Sequence, residues 1–135
     1  MIRPNSASIL LLPGFDEVWV TQVMKQLQAK GYRTSTIGLK VRSVQGLLGL
    51  QVLVDQALPT PSGKMYLLIP DAITSLPTLM TEPRIHRLVH AVLADNGTVF
   101  VAPSVAAAFT RVGLQAIKSP NYSIITTTQG LSEGL

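Results

Sequence analysis

The chain of 135 residues has no cysteine, which excludes a disulfide framework, a thiolate metal site and a cysteine nucleophile. Charge is also scarce: 13% of residues are charged, about half the usual quarter. So little charge leaves much surface uncovered, and burial of part of it in an oligomer or against a protein partner is expected. No apolar run approaches the roughly 20 residues of a membrane span. The run Ile9 to Leu12 near the N-terminus is too short for a signal peptide's apolar region, so a cytoplasmic location is expected.

The charges that are present give a net +4. They are scattered over Lys25, Lys30, Arg33, Lys40, Arg42, Arg84, Arg87 and Arg111, with no basic block and no interleaved aromatics. Nucleic-acid binding needs cations gathered on one face, so direct binding of that kind is not expected. The length matches one domain of residues 1–135.

Short apolar runs alternate with segments of helical period. Ser8 to Leu12, ended by Pro13-Gly14, reads as a strand buried on both faces. From Asp16, a candidate N-cap, Val20, Val23, Met24 and Leu27 form a helical stripe that stops at Gly31. Tyr32 to Ile37 is a second strand, and Val41 to Asp55, with Gly46 and Gly49, reads as a small hairpin or edge excursion. Pro59, Pro61 and Gly63 mark a loop, and Gly63-Lys64 lacks the spacing of a phosphate loop.

Met65 to Ile69 is a strand stopped by Pro70, and Ser75 to Met80 a loop or single helical turn. A helix then carries Ile85, Leu88, Val89 and Val92 on one face, with Thr81 as expected N-cap, Pro83 in its first turn and Asn96-Gly97 at its end. Thr98 to Ala102 is a strand, Val105 to Val112 an alanine-rich helix and Tyr122 to Thr128 a final β-prone stretch. This order predicts an α/β fold: a flavodoxin-like three-layer αβα sandwich with a mainly parallel sheet. Such sheets place ligands at the C-terminal ends of their strands, here the turns after Leu12, Ile69 and Ala102.

At those turns the chain resembles the ThiJ/PfpI family of class I glutamine-amidotransferase-like proteins, over most of its length. SILLLPGFDEVWVTQVMKQLQAKGYRTSTIGL is similar to the family's opening, and KVRSVQGLLGLQVLVDQAL to the excursion after it. MYLLIPDAITSL is similar to the strand ending in Leu-Pro-Gly-Gly, and GTVFVAPSVAAAFTRVGL to the nucleophile elbow Ala-Ile-Cys-x-Gly-Pro with its helix. Aligned this way, the family's cysteine falls on Pro103, its glutamate on Trp19 and its glycine pair on Asp71 and Ala72. SPNYSIITTTQGLSEGL resembles the terminal strand region, so the family's histidine segment is missing and the chain is roughly 30–50 residues shorter than an ordinary member.

These replacements remove chemistry. Proline has no nucleophile and fixes φ near about −65°, far from a strained elbow. Tryptophan cannot share a proton, but it can plug a cleft or pack in a core or interface. Asp71 puts negative charge where an oxyanion would have been stabilised. Ser104 lacks the flanking glycines of a serine elbow and is expected to cap the next helix. His86 and His90, four apart, have no evident third ligand and read as surface or partly packed residues. Asp16 and Glu17 offset the helix dipole.

The expected function is therefore a catalytically inactive ThiJ/PfpI-like domain that binds protein, as a homodimer or as a small subunit of a larger complex. No cofactor or metal is expected. The resemblance implies one alternative, a small-molecule sensing domain with Trp19, Asp71, Ala72, Pro103 and Ser104 around its pocket. A hydrolase or glyoxalase-like enzyme using Ser104 ranks last.

Overall fold

The computed structural model describes residues 6–58, 65–126, 131 and 135. The loop read at Pro59, Pro61 and Gly63, the Gly63-Lys64 pair, and Thr127 and Thr128 lie outside the described residues.

Six strands form one sheet in the order β5-β2-β1-β6-β7-β8. They are β1 (Ser6–Leu10), β2 (Arg33–Gly38), β5 (Gln56–Ala57), β6 (Tyr66–Ile69), β7 (Thr98–Val101) and β8 (Tyr122–Ile124). Every pairing in it is parallel, with Ile9 of β1 in register with both Thr36 of β2 and Leu68 of β6. Parallel strands need crossovers, and helices supply three: α1 (Glu17–Ala29), α3 (Pro83–Ala94) and α4 (Pro103–Arg111). A short helix, α2 (Leu76–Thr81), precedes α3.

The step from β1 to β2 runs one way along the sheet, and those from β6 to β7 and β7 to β8 run the other. Right-handed crossovers therefore set α1 on one face and α3 and α4 on the opposite one. With both faces covered, central strands must be apolar throughout. Ile9, Leu10, Leu67, Leu68, Ile69, Val99 and Val101 are accordingly buried. Each such side chain stabilises the fold by about 1.5–3 kcal/mol. Among the described residues, no helix is long and apolar enough to cross a membrane.

The excursion after β2 is a two-stranded antiparallel hairpin, β3 (Ser43–Gln45) with β4 (Gln51–Leu53). The stretch from Ser75 to Met80, expected as a loop or single turn, is instead a 3-10 turn over Ile73–Ser75 running into α2. Thr81 is not the cap of α3. It is the last residue of α2, where its hydroxyl donates back to the Pro77 carbonyl at 2.8 Å. Glu82 takes the capping role, accepting from the Arg84 amide at 3.2 Å and from its guanidinium at 2.8 Å. That pairing draws the Glu82 carboxyl down to about 2.

The expected α1 stripe is buried at Val20, Val23 and Leu27, but Met24 lies at its margin while Trp19 and Glu17 are buried. Asp16 caps the helix by accepting from the Trp19 amide at 3.1 Å. Ile85, Leu88, Val89 and Val92 of α3 all face the core.

Two glycines separate two kinds of constraint. Gly97 immediately precedes β7, and a Cβ there would collide with the carbonyls of Met65 and Val92, whereas Gly31 has open space but φ of +82°. Gly97→Ala is expected to cost about 2 kcal/mol or more, and Gly31→Ala about 1–2 kcal/mol through its left-handed backbone. Urea denaturation of the two variants checks both values.

Candidate functional site

The three turns beyond β1, β6 and β7 are joined by hydrogen bonds. The Pro13 carbonyl accepts from the hydroxyls of Ser75 at 2.7 Å and Thr74 at 2.9 Å. The Asp16 amide donates to the Asp71 carbonyl at 2.8 Å, and Phe15 bridges Ala72. The Ala102 amide donates to the Ile69 carbonyl at 3.0 Å. Gly14, at φ +85°, lets Thr74 approach so closely that a Cβ there would meet the Thr74 hydroxyl.

Trp19 is buried in the first turn of α1, and among the described residues its Nε1 has no hydrogen-bond partner. Asp71 Oδ1 is likewise buried and unpartnered. Burial, and then the nearby Asp16 carboxylate, push the Asp71 carboxyl above its ordinary range. Trp19 and Asp71 are linked through Asp16, which accepts from the Trp19 amide and donates to the Asp71 carbonyl. Ala72 is buried beside them.

Pro103 occupies the first position of α4, where its missing amide is no loss. Ser104 is not the cap expected from the sequence. The capping position is Ala102, in relaxed extended backbone at φ −70° and ψ 156°, and no side chain caps this helix. Ser104 stands one turn position further in, with its Oγ buried and unpartnered. It lines a groove of about 740 Å³ between α2 and α4, and Trp19, Asp71, Ala72 and Pro103 are not part of that lining.

His86 and His90 diverge. The His86 Nε2 lies 2.7 Å from the Leu79 carbonyl, and its ring meets Phe109 edge-on with centroids 5.9 Å apart. His90 is exposed.

The residue that sequence reasoning undervalued is Glu17. It faces inward, and its carboxylate accepts from the Leu48 amide at 2.9 and 2.7 Å and from the Leu50 amide at 3.1 Å. Gly46 leaves the room for it, since a Cβ there would overlap the carboxylate. Burial raises the Glu17 carboxyl, but the hairpin amides outweigh it and hold the group below its usual range. Two more bonds secure the same hairpin: Gly14 amide to Gln45 carbonyl at 2.8 Å and Leu47 amide to Phe15 carbonyl at 3.0 Å. The signal in the sequence was the pair Gly46 and Gly49 in a turn otherwise made of leucines. Leu47, Leu48 and Leu50 are 61%, 77% and 54% exposed, and Val18 on α1 is 54% exposed.

Similar architectures occur among solved structures. A DJ-1 superfamily protein from Salmonella typhimurium, solved as a Cys-to-Ala variant, superposes with a TM-score of 0.74 at 17% identity, over 91% of this chain and 75% of that one. DJ-1beta from Drosophila melanogaster gives 0.73 at 17%, over 93% and 75%. A ThiJ/PfpI family protein from Pseudomonas syringae gives 0.72 at 13%, over 84% of this chain and 48% of that one. No family model matches the chain, and no curated protein does.

The two carboxylates respond oppositely to acid. Glu17, depressed below 4.5, adds stability that is complete above that value and lost as pH falls through its folded-state pKa. Amide exchange at Leu48 and Leu50, corrected for intrinsic rates, should accelerate there and should already be fast in Glu17→Gln at neutral pH. Asp71, raised above 3.8, costs stability that begins as pH rises past that value and is complete once pH exceeds its folded-state pKa. Asp71→Asn should therefore gain on the order of 0.5 kcal/mol at neutral pH, after solvent screening, and nothing below pH 3.8, as read by thermal melts across pH.

Proposed function

On the DJ-1/ThiJ/PfpI fold that this chain carries, we propose that residues 1–135 form a single non-catalytic domain that works in the cytoplasm by binding a second copy of itself. The observation behind this reading is the β3–β4 turn. A turn with no other duty is commonly built from small polar residues. This one displays Leu47, Leu48 and Leu50 to solvent while Glu17 pins its amides. Exposed apolar side chains on a pre-organised backbone reduce the ordering cost of association. Val18, beside Glu17 in the sequence of α1, is also exposed.

The missing nucleophile supports the same reading. Pro103 offers no attacking group, and among the described residues Ser104 Oγ has no hydrogen bond to a base, so hydrolase or glyoxalase-like chemistry at Ser104 lacks its activating partner. Small-molecule sensing is the second reading, favoured by the unpartnered buried atoms of Trp19, Asp71 and Ser104.

Sedimentation equilibrium should show a dimer burying more than roughly 1,000 Å² in total. Leu48→Asp should make it monomeric with unchanged circular dichroism. A wild-type monomer at every concentration, with Leu48→Asp indistinguishable from it, defeats the homodimer. Loss of a copurifying different subunit in Leu48→Asp would instead mark this chain as part of a larger complex.

A further inference from the structure

The groove between α2 and α4 has two chemically distinct ends. Ser104, Ala107, Ala108 and Arg111 line one wall. Their spacing of three, four and seven puts them on one stripe of α4, with the ends about 10 Å apart along the axis. The two alanines leave space above the helix. Ile73, Leu76 and Met80 form the apolar wall opposite.

At one end, the Ser104 hydroxyl is buried with no partner. At the other, Arg111 is exposed, and among the described residues it is in no ion pair. Ile73, a large apolar residue 64% exposed, also lines the groove. We infer that this groove binds an elongated monocarboxylate with an apolar body: the carboxylate on Arg111 and the body over Ala107, Ala108 and Ile73.

The volume, about 740 Å³, is that of a pocket for one organic molecule. The apolar walls disfavour a small inorganic anion, and the cation disfavours an organic ammonium. The negative end of the α4 dipole offsets part of the attraction for an anion. Carboxylate recognition therefore rests on the Arg111 guanidinium. The groove lies on the opposite face of the sheet from α1, so this inference does not depend on the proposed dimer.

Calorimetric titration with decanoate, 1-decanol and acetate tests it. Wild-type protein should bind decanoate about tenfold more tightly than 1-decanol, the worth of one charged hydrogen bond, and acetate not measurably. Arg111→Gln should bring decanoate to the level of 1-decanol. Ala107→Phe, at an exposed position, should abolish binding of both without altering circular dichroism or sedimentation. Equal binding of decanoate and 1-decanol by wild-type protein overturns the inference, as does an Arg111→Gln variant with undiminished decanoate affinity. A change of oligomeric state in Ala107→Phe also overturns it, because the groove would then seat another chain.

Discussion

A carboxylate removed from water stays ionised only if hydrogen-bond donors replace the solvent it has lost. Glu17 obtains them from Leu48 and Leu50, more than 30 positions away in sequence. The contact settles three things together. It holds the hairpin against the first turn of α1, it draws Gly46 into van der Waals contact with the carboxylate, and it presents the turn's leucines in one pose. With a residue at position 17 that cannot accept, those amides would face the helix start without an acceptor, and the turn would be held only by the Gly14–Gln45 and Leu47–Phe15 backbone bonds.

The three strand-end turns show a different economy. Where the ThiJ/PfpI pattern places a strained elbow, Ala102 and Pro103 adopt relaxed geometry and α4 begins with a residue suited to its first position. Among the described residues, the non-glycine positive φ belongs to Asn96, at the end of α3, and not to this turn. Backbone strain, which costs of order 1–3 kcal/mol where it is stored, is not stored at Ala102. Polar atoms have taken its place as the unresolved cost, because Trp19 Nε1, Asp71 Oδ1 and Ser104 Oγ are buried without partners. Groups of this kind usually cost about 1–3 kcal/mol each.

Local patterns were legible wherever one element settles the matter by itself. The unbroken apolar run at Ile9 to Leu12 announces a strand covered on both faces, Asp16 caps α1, Gly31 ends it in left-handed backbone, and Ile85, Leu88, Val89 and Val92 mark the inner face of α3. The errors cluster where two elements compete for one residue. Thr81 resembles a cap, but its hydroxyl is already committed to the helix behind it, and Glu82 outbids it by accepting from both the amide and the guanidinium of Arg84. Ser104 resembles a cap too, but Pro103 starts the helix two residues early and leaves the hydroxyl buried inside its first turn.

That no cysteine nucleophile can stand at the strand ends was determined by sequence alone, since no packing can supply a cysteine to a chain that has none. The order of strands and helices, and with it the parallel sheet, followed from apolar period and from the handedness of crossovers. Only the tertiary structure decided where Glu17 points and that Ser104 and Arg111 share a groove with Ile73. Periodicity reports which side of an element is buried. It does not report what that side meets, because the partner's position depends on how distant turns are closed by hydrogen bonds.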